Sequence, residues 1–163
     1  MATTSERVDG EAGPPLLVPD RFNVAEWLVD RQISEGRGER TAILCGDETV
    51  TYAQVKERSD RVANGLRALG VRREERIMLL LLDGPAFVYS FFGALKLGAV
   101  PIPTNTLLKA PAYRYMLNAP GPLAVVVSEA LRPALRALHR AALPPLRAIA
   151  VVRNATEGPR ACA

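Results

Sequence analysis

Apolar positions along the chain fall into short blocks with two alternating periods. From Asn23 to Ile33 the residues Val24, Trp27, Leu28 and Ile33 recur at helical spacing, and Asn23 is placed to cap the segment. Gly36-Arg37-Gly38 ends it. Thr41–Cys45 and Glu48–Thr51 flank Gly46-Asp47, a hairpin signal in which the favoured Asp-Gly order is reversed. Thr51 is followed three residues later by Gln54, the spacing of a capping box. Val55, Val62, Leu66 and Leu69 then share a face over 52–69, with Gly70 as the stop.

Beyond Gly70 the pattern changes. The segment 76–82 is continuously apolar after Arg76, as expected of a strand covered on both faces. Pro85 opens a helix over 85–97 that ends at Gly98. The pattern continues with a strand at 99–103, a helix at 108–118, a strand at 123–127, a helix at 132–142 and a strand at 146–152. Strand and helix alternate three times after the hairpin, which predicts an α/β fold with right-handed crossovers and a layered, mostly parallel sheet. Residues 1–20 hold Pro14, Pro15 and Pro19 without a periodic face and read as a flexible leader. Residues 21–153 form the domain, and 154–163 an irregular tail.

Composition narrows the classes. The chain has 163 residues, 48% hydrophobic and 23% charged, enough for one core. No apolar run reaches the roughly 18–20 residues of a membrane span, and the first 20 residues lack a signal-peptide core. The expectation is a cytoplasmic protein with no membrane partner. Net charge is +4, with 21 basic residues dispersed among 17 acids, so no nucleic-acid partner is expected. Cys45 and Cys162 lie far apart, form no CxxC and are expected to suit neither a zinc site nor a disulfide scaffold.

Ligands of open α/β sheets sit at the carboxyl ends of strands. Three loops there carry polar groups: Asp83-Gly84, Thr104-Asn105-Thr106 and Ser128-Glu129. The first two have a plainer reading. Asp83 belongs to a turn and caps the next helix; the Thr104–Thr106 hydroxyls and amide satisfy loop backbone. His139, the sole histidine, lies off the Leu135–Leu138 face without a partner for catalysis. Gly36-x-Gly38 precedes a strand, where a dinucleotide fingerprint needs glycines after one. There is no GxxxxGK[ST], HExxH or GxSxG, and none of the five serines lies in a Ser/Thr/Gly-rich run that would cradle phosphates. The residues by themselves assign no catalytic, cofactor-binding or metal site.

Two stretches carry a resemblance. Residues 49–55 (Thr49-Val50-Thr51-Tyr52-Ala53-Gln54-Val55) look like the "TYxEL" core of adenylate-forming enzymes, and 91–103 like their "GAxKAGAVPVP" core. Within that superfamily the chain most resembles benzoate–CoA and related aryl-CoA ligases. This rests on Phe22-Asn23, Leu28–Arg31, Glu35–Gly38, Leu79–Pro85 with Phe87, Asn105–Leu108 and Tyr113–Leu117. The resemblance spans Phe22 to Val152.

It implies the N-terminal subdomain of an AMP-forming large domain. In such enzymes a carboxylate and Mg·ATP give an acyl-adenylate and pyrophosphate, and CoA then displaces AMP. It also implies that ATP, Mg, CoA and an aromatic carboxylate belong to the full-length family and not to this chain alone. The phosphate loop, the later nucleotide and acyl motifs and the catalytic lysine all follow the matched region, so no site residue carries over. Thr104 stands where an apolar residue is common, and Asn118–Pro122 replaces an acidic, proline-free turn. Pro159–Ala163 match nothing in the family and are compatible with truncation or a frameshift.

The expectation is an inactive N-terminal fragment that self-associates through an exposed sheet edge. The alternative is a stand-alone, non-catalytic binding or regulatory module of the same fold. A small dinucleotide binder is a third and weaker reading.

Overall fold

The computed structural model describes residue 19, residues 21–138 and residues 146–153. Asn23 opens the first helix, its Oδ1 accepting the Ala25 amide at 2.9 Å. The helix begins as a π-helical segment, Glu26–Asp30, and continues as α1, Arg31–Ser34. Its packed face differs from the expected one. Ala25 and Val29 are buried, whereas Trp27 and Leu28 stand exposed.

Strands β1 (Thr41–Cys45) and β2 (Glu48–Thr51) form the antiparallel hairpin, with Cys45 opposite Glu48. Gly46 takes φ +58°. A left-handed glycine at the first turn position explains why Gly-Asp serves here in place of Asp-Gly. Helix α2 (Tyr52–Ala68) starts on the expected capping box: Thr51 Oγ1 accepts the Gln54 amide, and Gln54 Oε1 accepts the Thr51 amide. At its end Gly70 adopts φ +84°. The Gly70 amide bonds Arg67 O and the Val71 amide bonds Leu66 O, and Leu66 and Val71 bury together. This is the Schellman arrangement and its apolar contact.

Four strands follow: β3 (Arg76–Leu80), β4 (Val100–Pro103), β5 (Ala124–Ser128) and β6 (Ala148–Val152). All pair in parallel, in the order β4-β3-β5-β6. Helix α3 (Pro85–Leu97) links β3 to β4, and α4 (Ala110–Asn118) links β4 to β5. A 3-10 turn and α5 (Arg132–Leu138) follow β5. Helix α4 starts two residues later than its apolar pattern predicts. Lys109 is extended at φ −87°, ψ 161°, and Pro111 is accommodated in the first turn.

The continuous apolar strands are covered on both sides, as expected. Ile77, Leu79, Leu81, Ala124 and Val126 face α2 and α3. Met78, Leu80, Val125 and Val127 face α4 and α5. A third cluster seats the first helix and the hairpin: Val29, Val50, Val55 and Tyr89.

Helices α2 and α3 approach through small residues. Ser59 and Ala63 on one meet Ser90, Gly93 and Ala94 on the other, all buried, while the expected inward residue Leu69 is 43% exposed.

Candidate functional site

Strand order decides where a site would lie. The chain enters the sheet at β3, steps out to β4, and returns to the other side of β3 at β5. The topological switch point is therefore between β3 and β5, at their carboxyl ends. The Asp83-Gly84 and Ser128-Glu129 loops meet there, with Thr104-Asn105-Thr106 one strand away. The three loops singled out from the sequence thus lie on one rim.

The rim is occupied with its own hydrogen bonding. Ser128 Oγ, buried, accepts the Leu82 amide at 3.0 Å and ties the two loops across the switch point. Glu129 Oε2 pairs with Arg153 Nε at 3.2 Å. Thr104 is buried and its hydroxyl donates to Ile102 O at 3.1 Å. Asn105 Oδ1 accepts the Leu107 amide at 2.8 Å, and the Tyr113 hydroxyl donates to Asn105 O at 3.2 Å. Burial pushes the Tyr113 phenol above its ordinary range.

One expectation needs correction. Asp83 is exposed and does not cap α3; the N-cap is Gly84, with no side-chain cap bond. At φ +157° and ψ 176° Gly84 occupies backbone space restricted to glycine. The turn therefore rests on Gly84 and Pro85, and Asp83 points into an open groove of ≈ 720 Å³ between the hairpin and α3. Its other walls are mainly Ala42, Ile43, Leu44, Phe87 and Val88.

This rim does not fit a nucleotide triphosphate. The Leu82 amide is taken by Ser128, and two carboxylates, Asp83 and Glu129, border the crevice. Among the described residues no group of acidic, histidine or cysteine side chains could hold a metal. Likewise, no described helix is long and apolar enough to cross a membrane. His139 lies outside the described residues.

The polar network that sequence reasoning missed sits elsewhere. Lys96, with its side chain only 8% exposed, reaches Asp30 Oδ1 at 2.6 Å and Asp60 Oδ1 at 2.5 Å. Asp60 Oδ2 also takes Lys56 at 2.6 Å. Burial raises the Asp60 pKa, but hydrogen bonds from Lys56 and Lys96 outweigh it and leave the carboxyl below its usual value. Asn23 Nδ2 adds a bond to Leu95 O at 2.8 Å. Together these pin the first helix onto α2 and α3. The one signal in the sequence was a lone lysine inside an otherwise apolar helix.

A second cluster braces the hairpin. Arg58 lies 5.2 Å over the Tyr89 ring, donates to its hydroxyl at 2.9 Å, and stands 3.5 Å from Glu48. Both clusters are structural couplings between elements, although Asn23 and Asp30 of the first also line an open groove of ≈ 540 Å³ beside the first helix.

The geometry defines an α/β layer of doubly wound type whose rim is closed by its own bonds. A family profile described as "AMP-binding enzyme" matches residues 29–160, and the chain belongs to that family.

Benzoate–CoA ligase of Thauera aromatica is 36% identical over 134 residues, which are 82% of this chain and 25% of the relative. A 4-hydroxybenzoate–CoA/benzoate–CoA ligase of Rhodopseudomonas palustris is 37% identical over the same shares. Among solved structures, an anthranilate CoA ligase in complex with anthranoyl-AMP aligns with TM-score 0.78 and 36% identity over 83% of this chain and 26% of that one. A benzoate CoA ligase of Burkholderia xenovorans aligns with TM-score 0.73 and 36% identity, over 82% and 26%. The chain spans about a quarter of the length of the relatives it matches.

Proposed function

We propose that this chain is the N-terminal part of an ATP-dependent, AMP-forming ligase that joins an aromatic carboxylate, benzoate or a close relative, to CoA. The observation that carries the reading is its 36–37% identity to benzoate-type ligases across 134 residues. The reaction is adenylation of the carboxylate with release of pyrophosphate, followed by thiol displacement of AMP. Developing charge on transferring phosphates needs preorganised donors, and the rim described above has none to spare.

In this reading the contribution of residues 21–153 is architectural. They form part of the αβ layers against which a phosphate loop and acyl pocket elsewhere in the enzyme would be built. ATP, Mg and CoA are bound by the whole enzyme and not by these 163 residues alone, and the setting is cytoplasmic. A stand-alone binding module is not favoured, because the rim's polar groups other than Asp83 bond to one another.

Two measurements test this. The purified 163-residue chain is expected to show no benzoate-dependent ATP–pyrophosphate exchange; clear exchange would overturn the architectural role. Conversely, Phe22–Val152 grafted in place of the matching segment of the Thauera benzoate–CoA ligase is expected to retain benzoyl-CoA formation. A folded chimera that adenylates no aromatic acid would sink the family role.

A further inference from the structure

The two edges of the four-stranded sheet are built differently. Edge strand β4 reads Val100-Pro101-Ile102-Pro103. Two prolines remove backbone donors, so this edge cannot extend a ladder. At the other end β6 reads Ala148-Ile149-Ala150-Val151-Val152, with no proline, glycine or charge. Among the described residues β6 is paired on one side only, through β5. It is also less covered than β5: every β5 residue is buried, while Ile149 is 38% exposed. An uncharged, proline-free edge in which Ile149, Val151 and Val152 are β-branched is a template for strand addition.

We propose that the β6 edge of the 163-residue chain pairs with β6 of a second copy, making a symmetric dimer with one continuous eight-stranded sheet. Because the β4 edge is blocked, only one edge per copy can add a strand, and assembly stops at two instead of growing into a fibre.

The strand is self-complementary in antiparallel register centred on Ala150. Ala148 then opposes Val152 of the second copy, and Ile149 opposes Val151. Each such pair keeps its face, because Ala148, Ala150 and Val152 pack toward α2 and α3 while Val151 packs toward α4 and α5. The flanking charges are also accommodated. Arg147 would oppose Arg153 of the second copy, but Arg153 is already paired with Glu129 at 3.2 Å, which places a carboxylate near each Arg–Arg contact. The proposal rests on the fold and is independent of any catalytic role.

The test is the mass of the purified full chain by light scattering, together with hydrogen exchange of the Ala148–Val152 amides. The expected result is a doubled mass with slow exchange along β6. Ile149→Lys, at an exposed position, is expected to halve the mass and speed that exchange while leaving the far-ultraviolet spectrum unchanged. A monomer overturns the proposal, including a monomer with protected β6 amides, which would mean that another segment of the same chain covers the edge. Polydisperse, concentration-dependent growth overturns the closed dimer. Should Ile149→Lys fail to fold, the wild-type mass and exchange data decide between the same outcomes.

Discussion

A β-carbon placed on Gly93 would lie 2.8 Å from the carbonyl oxygen of Ser59 and 2.8 Å from Cβ of Val62. Helices α2 and α3 therefore cross at a distance that only glycine permits. The obstruction is backbone, which cannot swing aside as a flexible side chain would. Gly93→Ala would gain up to ~1 kcal/mol of helix propensity. Overpacking costs about 1–3 kcal/mol and wins when a main-chain atom must move. The variant is expected to be less stable by about 1–2 kcal/mol in urea unfolding. An unchanged or higher midpoint would show that the two helices can separate without cost.

The charge network around Lys96 gives a second expectation. Lys96→Met keeps the stem and deletes the ammonium, leaving Asp30 and Asp60 facing each other across the first helix and α2. Removing one partner of a fully buried pair costs roughly 3–5 kcal/mol. Here Asp30 and Asp60 remain 29% and 38% exposed, so the loss should be smaller. The sharper readout is local. Protection of the Val29 and Asp30 amides should fall more than that of β3, because the first helix is what the network holds. Equal protection in variant and wild type would remove that role.

Acid dependence follows from the same cluster, with a definite sign. The Asp60 carboxyl is held below its usual value of 3.8, so its contribution is present above that pH and is lost as pH falls through the lower folded value. Lys56 is raised above 10.5, chiefly by its hydrogen bond to Asp60, so its contribution is present below that pH and fades as pH rises further. The stability difference between wild type and Asp60→Asn should be flat near neutrality and should narrow below pH 3.8. A difference that widens with acid would reverse the assignment. The magnitude is modest, since Lys56 and Asp60 are both 38% exposed and screened by water.

Glu74 is the only described non-glycine residue with positive φ, at +67°. It sits in the turn before β3, where its amide donates to Gly98 O at 2.8 Å and fixes the backbone. A left-handed L-residue costs about 1–2 kcal/mol. Glycine removes that cost and returns roughly 0.5–1 kcal/mol as unfolded-chain entropy. Glu74→Gly is thus expected to stabilise by about 0.5 kcal/mol. Its side chain is 83% exposed and its contact with Arg73 is 3.9 Å long, so little else is lost. A destabilised Glu74→Gly variant would mean that the turn is not strained.

How much of this was legible in the sequence depended on how local the cause was. The capping box at Thr51 and Gln54, the stops at Gly70 and Gly98, and the two-sided burial of residues 77–80 all arise within a few residues and are legible there. The packed face of the first helix was not. Trp27 and Leu28 offer more apolar surface than Ala25 and Val29, but the close approach to α2 and α3 selects the smaller residues. Strand order was open for a related reason: periodicity fixes which faces are apolar and not which strands are neighbours. At the rim, Asp suits the cap position by type, yet the φ of +157° there hands the cap to Gly84. The Lys96 network joins residues 36 and 66 positions apart, beyond the reach of any local pattern.

The last expectation concerns the rim itself. Ser128 holds the Leu82 amide at 3.0 Å across the switch point, where a ligand of an open α/β sheet would otherwise find a free donor. Ser128→Ala removes the acceptor and leaves a part-buried N–H unpaired, a loss of about 1–3 kcal/mol. If the bond only closes the rim, the variant should be less stable and the Leu82 amide should exchange faster, with no new affinity for anions. Inorganic phosphate and pyrophosphate serve as probes, read by the amide shifts of Leu82 and Gly84. Saturable shifts in Ser128→Ala that are absent in wild type would mean that Ser128 masks an anion site, and the rim would no longer be purely architectural. Ser128→Thr retains the hydroxyl and should restore Leu82 protection, which separates loss of the bond from damage to packing.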